Sequence, residues 1–168
     1  MSNEVNILEN ENELAGPVST HRQLRTSAEA KNFMLAGKAI FTLVSKRTGT
    51  RYTYKVTHKD ANGQYGESWM VSYLTGQDNE GDYTYLGQIH RDAVKGFFFH
   101  ATKASKHMVA ALPFTGFNWA FERINAGIDV SEKMEVWHAG RCGRCGRLLT
   151  VPSSIEMGLG PECASKGF

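Results

Sequence analysis

Arg51-Tyr52-Thr53-Tyr54-Lys55-Val56-Thr57 alternates large apolar and polar side chains at a strict period of two. That period puts Tyr52, Tyr54 and Val56 on one face and Arg51, Thr53 and Lys55 on the other, so the stretch reads as a strand with one buried face and one wet, basic face. Upstream, Ala39 to Ser45 has the composition of a partner strand. The five residues between them, Lys46-Arg47-Thr48-Gly49-Thr50, form a hairpin connection in which Gly49 is free to take a positive φ. Downstream, Trp69 to Thr75 reads as a third strand, Tyr83 to Ile89 as a fourth and Phe97 to Ala101 as a fifth. Sequential strands with short polar connections predict an antiparallel β-meander in an α+β fold.

Such a sheet needs a cover over its apolar face. Phe114 to Gly127 supplies a helix, with Phe117, Ala120, Phe121 and Ile124 at i, i+3, i+4 and i+7 and Gly127 as the C-terminal cap. Trp119 falls off that stripe. These aromatics are read as core, and only an exposed Trp119 or tyrosine would reopen base stacking. From Ser19 to Leu35 the chain favours one short helix or two, starting near Ser27-Ala28-Glu29-Ala30. Met134 to His138 is a short strand entering the C-terminal tail. The predicted organisation is a flexible acidic arm over residues 1–19, an α+β core over 20–130 and a small metal-binding module over 131–168. The arm has an alternative reading as a partner-binding peptide built on Val5, Ile7 and Leu8.

All three cysteines lie in that tail, spaced His138-x3-Cys142-x2-Cys145-x17-Cys163. Zinc takes about four soft or borderline donors in a tetrahedron, and Cys142-Gly143-Arg144-Cys145 brings two thiolates from one tight turn while Cys163 brings a third from a distance. Gly143 and Gly146 are expected to let the backbone fold over the metal. His138 is the expected fourth ligand, with Glu162 or a water as the alternatives, and the module reads as a knuckle or treble-clef-like zinc finger. A disulfide would leave one cysteine odd, and Met1-Ser2-Asn3-Glu4 lacks an export signal, so a reducing, cytoplasmic setting is expected. A redox C-x2-C is disfavoured because its two glycines oppose the helix that such motifs open.

The residues around these cysteines resemble a known sequence family. The run Gly140-Arg141-Cys142-Gly143-Arg144-Cys145-Gly146-Arg147-Leu148-Leu149-Thr150, then Pro152 and Ser153-Ser154-Ile155, then Gly158-Leu159-Gly160-Pro161-Glu162-Cys163 is similar to the C-terminal hallmark of an uncharacterised phage and bacterial family, a domain of unknown function. Phe41 to Tyr54, Ser72-Tyr73-Leu74-Thr75-Gly76, Asp78-Asn79-Glu80 and Asp82 to Gly87 also look like features of its phage members. The resemblance implies a phage or prophage protein with a zinc-finger-like tail, and no reaction.

Composition sets the remaining bounds. A chain of 168 residues buries a real core, and no run approaches the ~18 apolar residues of a membrane span. The net charge of +2 hides an asymmetry: residues 1–30 carry −3 and the remainder +5. That is mildly basic, compatible with a nucleic-acid partner.

Several constellations that suggest catalysis fail. His90-Arg91-Asp92 lacks the glycine-rich loop and D-F-G of a kinase. Asp78, Glu80 and Asp82 lack the glycine at position six and the glutamate at twelve of a calcium loop. No nucleophile elbow accompanies His100, Lys103, Lys106 and His107. A nucleobase deaminase would carry a catalytic glutamate where Gly140 stands. Four protein ligands would leave zinc no open position, so the expected role is structural and non-enzymatic. Arg141, Arg144 and Arg147 recur every third residue around the knuckle and are the expected phosphate contacts. The reading is a phage-type accessory protein binding nucleic acid or a nucleoprotein complex. The alternative is a protein-interaction module or inhibitor directed at host defence or replication machinery, without nucleic-acid contact. The sequence leaves the oligomeric state open.

Overall fold

The computed structural model describes residues 22–166. The acidic arm expected at residues 1–19 lies outside them. Seven strands, β1 (Gln23–Leu24), β2 (Lys38–Ser45), β3 (Arg51–Lys59), β4 (Ser68–Leu74), β5 (Tyr83–Asp92), β6 (Gly96–His100) and β7 (Met134–His138), form one sheet. Four α-helices, α1 (Ser27–Met34), α2 (Leu112–Asn125), α3 (Pro152–Met157) and α4 (Pro161–Ala164), and one 3-10 turn (Lys106–Met108) accompany them among the described residues. The sheet order is β1-β7-β2-β3-β4-β5-β6, and every neighbouring pair is antiparallel. β2 to β6 are the expected meander.

The alternation in Arg51 to Thr57 does what its period requires. Tyr54 and Val56 are buried, facing Phe41 and Ala39 across the β2–β3 ladder, while Thr53 pairs on the opposite face with Thr42 through a 2.8 Å hydroxyl contact. Gly49 takes φ 72° in the hairpin loop, as its place there predicted.

The sheet curls around α2. Four strand spacings of about 4.8 Å would hold β2 and β6 roughly 19 Å apart in a flat sheet. Yet the Phe117 ring lies 6.4 Å from Phe41 of β2 and 4.8 Å from Phe99 of β6. Part of the bend comes from an irregularity in the β4–β5 register: Val71 faces Gly87 and Ser72 faces Tyr85, so Leu86 is the extra residue. Gly87 permits β6 to close in, because a Cβ there would stand 2.4 Å from the His100 carbonyl oxygen.

α2 buries Phe117, Ala120, Phe121 and Ile124, the stripe read from the sequence, together with Phe114, and it starts two residues earlier than expected, with Pro113 in its first turn. The Tyr54 hydroxyl donates to the Pro113 carbonyl at 2.7 Å, satisfying the one polar atom that the buried ring carries into the core. α1 opens with a capping box. Thr26 accepts from the Glu29 amide and Glu29 from the Thr26 amide, each at 3.2 Å, and the helix buries Ala30, Phe33 and Met34.

Two expectations change. The segment before α1 contains a short strand, β1, too brief to show a period in the sequence. More important, β7 is an interior strand of the main sheet, paired with β2 from Phe41↔His138 to Ser45↔Met134 and with β1 on its other side. The boundary placed at residue 131 therefore cuts through the sheet, and the tail proper starts after His138. Among the described residues no helix is long and apolar enough to cross a membrane.

Candidate metal centre

The tail turns back on itself immediately after β7. Arg141 and Leu148 form an isolated antiparallel bridge, the Cys142 amide donates to the Arg147 carbonyl at 2.8 Å, and the Gly146 amide donates to the Cys142 carbonyl at 2.9 Å. Gly146 sits at φ 78°, a left-handed conformation that closes this knuckle and that a side chain would strain. The expectation for Gly143 was different in kind. Its φ is not positive; it is required by close approach, since a Cβ there would come within 2.7 Å of the Phe33 ring. α3 and α4 follow, and α4 carries Cys163 back to the knuckle.

This path brings Cys142, Cys145 and Cys163 together, with their sulfurs all within 4.8 Å of one another. The three are free thiols, Cys142 buried, Cys163 half-buried and Cys145 exposed. A tetrahedral centre with metal–sulfur bonds of about 2.3 Å needs sulfurs about 3.8 Å apart, so small adjustments would seat an ion. The surrounding backbone is arranged for anionic sulfur. The Gly160 amide donates to Cys142 Sγ at 3.4 Å. Burial alone would raise the Cys142 pKa, but hydrogen bonds from the Gly160, Cys145 and Arg144 amides and from the Cys145 side chain outweigh it and hold the thiol at about 7. Cys163 goes the other way, pushed up to about 11 by burial and by its hydrogen bonds and proximity to Cys142 and Cys145. Three sulfurs this close disfavour three thiolates unless a cation joins them. The cluster can hold a metal ion.

His138, expected as the fourth ligand, is not in the cluster. It is buried on β7 with both ring nitrogens engaged: Nδ1 accepts from the Gly140 amide at 2.9 Å, and Nε2 bonds the Ile155 carbonyl. Accepting at Nδ1 fixes the neutral tautomer with the proton on Nε2, which donates to Ile155. Burial, with a smaller contribution from Arg22, keeps its pKa below the ordinary histidine value despite the Ile155 bond. The spacing His138-x3-Cys142 cannot separate a ligand from such a clamp. His138 pins α3 to the sheet instead. Replacing it with alanine is expected to leave metal stoichiometry unchanged while costing roughly 2–4 kcal/mol in stability, from a cavity and the removal of two hydrogen bonds; metal analysis and denaturant melts of the variant decide this. Glu162 does not join the thiols either, so among the described residues the site has three protein donors.

The arginines divide. Arg141 and Arg147 are exposed, and Arg141 reaches the Gly146 carbonyl at 3.3 Å. Arg144 is half-buried and donates to the Lys166 carbonyl at 2.8 Å, tying the end of the described chain to the knuckle. Two further cations stand beside the knuckle that the sequence did not suggest. The Lys38 side chain lies against Gly146, and the Arg22 guanidinium lies against Gly140. Both are far from the cysteines in sequence, and only the β1–β7–β2 order brings them there.

The other clusters singled out in the sequence resolve as local chemistry. Asp92 caps the β5–β6 turn by accepting from the Val94 and Lys95 amides. Arg91 pairs with Glu67 at 3.3 Å, and His90 stacks on His100 at 5.0 Å. In the acidic turn, Asp82 accepts from the Asp78 amide and Asp78 from the Glu80 amide, each at 2.9 Å.

Residues 136–166 match the model of a family of unknown function, DUF6011. The matched segment takes in the end of β7, the knuckle, α3 and α4. No curated protein and no solved structure matches the chain.

Proposed function

We propose that the C-terminal module is a zinc knuckle whose basic rim contacts nucleic-acid phosphates, in a phage-type accessory protein without catalytic activity. Three thiolates favour zinc among abundant divalent ions and make it a poor Lewis acid, which supports a structural role. The fourth position would then fall to solvent or to a donor outside the described residues. The observation that carries the reading is the placement of four cations around the knuckle. Arg141, Arg147, Lys38 and Arg22 are all exposed, and none of them belongs to an ion pair among the described residues. A cationic rim that the fold does not neutralise is suited to phosphate oxygens. Arg144, assigned to the same role from the sequence, contributes less because it braces Lys166.

The test is binding to single-stranded and duplex DNA and RNA across a salt series. Arg141→Ala with Arg147→Ala should keep metal and fold while lowering the slope of log affinity against log salt by about 1.8 on duplex DNA, or 0.9 for each phosphate no longer neutralised. An unchanged slope in the double variant would sink this reading.

One observation favours a protein partner instead. The same module exposes Leu148, Val151 and Met157, at 58%, 51% and 46% of their surface. No binding to any of the four nucleic acids at low salt would shift the reading to an interaction module.

A further inference from the structure

A sizeable cavity lies away from the metal centre. It is an open pocket of about 730 Å³ between the β2–β3 hairpin and the N-terminal half of α2. Ligand sites commonly fall between about 300 and 1,000 Å³. The thiol module is fastened at the start of β2, where the Lys38 amide donates to the Gly143 carbonyl, and the pocket opens at the end of that strand, beyond Ser45. Seven residue steps of about 3.3 Å put the two regions roughly 23 Å apart.

The pocket combines two kinds of wall. Tyr52, Tyr54 and Trp119 give it aromatic sides, and Lys46, Arg47 and Lys133 line it as well. Trp119 is the residue that fell off the apolar stripe of α2. It is half-buried, with the Arg123 guanidinium 4.2 Å from its ring centre and Lys133 Nζ at 6.0 Å. Among the described residues Lys46, Arg47 and Lys133 belong to no ion pair, and Glu132 is the one acidic residue lining the cavity. The core does not require the space either. Gly116 sits inside α2 and lines the pocket, where glycine costs about 1 kcal/mol relative to alanine. A Cβ at Gly116 would meet only the Tyr54 hydroxyl, at an ordinary 3.7 Å. Packing would accept a side chain there, and the glycine leaves the cavity floor open.

We propose that this pocket binds a nucleotide, with the base against Trp119 and Tyr52 and the phosphate held by Lys46, Arg47 and Lys133. Aromatic walls recognise the flat face of a base, and cations that no ion pair engages recognise a dianion; Lys46 meets Asp129 only through a minor electrostatic attraction. The same chemistry reaches the pocket from a free nucleotide or from one residue of a single strand. The site is independent of the knuckle's arginines.

Calorimetric titration of the full chain with adenosine and uridine 5′-monophosphates, adenosine, and inorganic phosphate tests it. At least one monophosphate should bind at micromolar to submillimolar concentration, with adenosine and phosphate each at least tenfold weaker. Gly116→Leu, which fills the cavity with a good helix former and alters no charge, should weaken binding at least tenfold without lowering the melting temperature. Lys46→Ala with Lys133→Ala should do the same from the phosphate side. A 5′-phosphorylated pentanucleotide of the preferred base separates the sources: tighter binding than the monophosphate assigns the pocket to a strand, and equal binding to the free nucleotide. The Arg141→Ala, Arg147→Ala variant should retain monophosphate binding even if it loses the salt-dependent binding attributed to the knuckle. No binding of either monophosphate at 1 mM, undiminished binding in Gly116→Leu, or loss of monophosphate binding in the arginine variant would overturn the proposal.

Discussion

Cys142→Ser, Cys145→Ser and Cys163→Ser are each expected to abolish stoichiometric metal binding and unfold the tail beyond Gly140. A structural zinc site supplies roughly 10–16 kcal/mol of apparent binding energy, and a segment this short has little else to hold it. The tail's own apolar burial is small, with Cys142 and Leu149 its buried apolar residues. Metal analysis of the purified chain should give about one zinc per molecule, and chelation should reproduce the effect of the variants. pH should act through the same sulfurs. Zinc binds thiolate, so every proton still held must be displaced. Cys163, pushed up to about 11, keeps its proton through the neutral range without metal, and affinity should therefore rise with pH there. Cys142 has a depressed pKa of about 7. It is already thiolate above that value and takes up a proton as pH falls through it. The slope of log affinity against pH should thus steepen by one proton below about pH 7, measured by competition with a chromophoric chelator. A metal-free chain with a folded tail, or an affinity flat between pH 6 and 8.5, would defeat the assignment.

How much of this was legible in the sequence follows from which interactions are local. The period of two in Arg51 to Thr57 and the i, i+3, i+4, i+7 stripe from Phe117 to Ile124 are each written in a few consecutive residues, and the meander and its cover could be read from them. The three thiols converge because two sit in one turn, and their spacing is a strong signal. What escaped depends on non-local pairing. Nothing in Met134 to His138 says that it inserts between β1 and β2, and that insertion decides the fate of His138, which faces Phe33 at 5.4 Å and α3 rather than the sulfurs. The same insertion recruits Lys38 and Arg22 to the knuckle. The pocket was invisible for a similar reason: Lys46 and Lys133 are 87 positions apart and meet only because the Lys46 amide donates to the Lys133 carbonyl beside β7. Trp119 gave the one sequence hint, as an aromatic off its own helix stripe.

The position of β7 sets the second large effect. A chain truncated after residue 130 should fail to fold cooperatively, whereas one truncated after residue 140 should keep a cooperative transition at a lower melting temperature. The first truncation removes an interior strand. It strips the ladder from β2 between Phe41 and Ser45, leaves β1 with no partner, and removes the buried Val136 side chain, worth about 1.5–3 kcal/mol by itself. It also turns β2 into an unprotected edge carrying Ala39, Phe41 and Leu43 on its inner face, which invites aggregation. The second truncation keeps the seven-stranded sheet and loses only what the tail covers. Chief among this is the Phe33 ring, against which Gly143 and Gly158 pack so closely that a Cβ at either would stand 2.7 or 2.6 Å away. Loss of that cover and of the His138 to Ile155 bond should cost a few kcal/mol of a marginal total, enough to lower the melting temperature without ending two-state behaviour. Thermal melts followed by far-ultraviolet circular dichroism, with size-exclusion profiles of both truncations, separate the outcomes. A truncation at residue 130 that melts as cooperatively as the full chain would mean that β7 belongs to the tail alone and that the sheet closes without it.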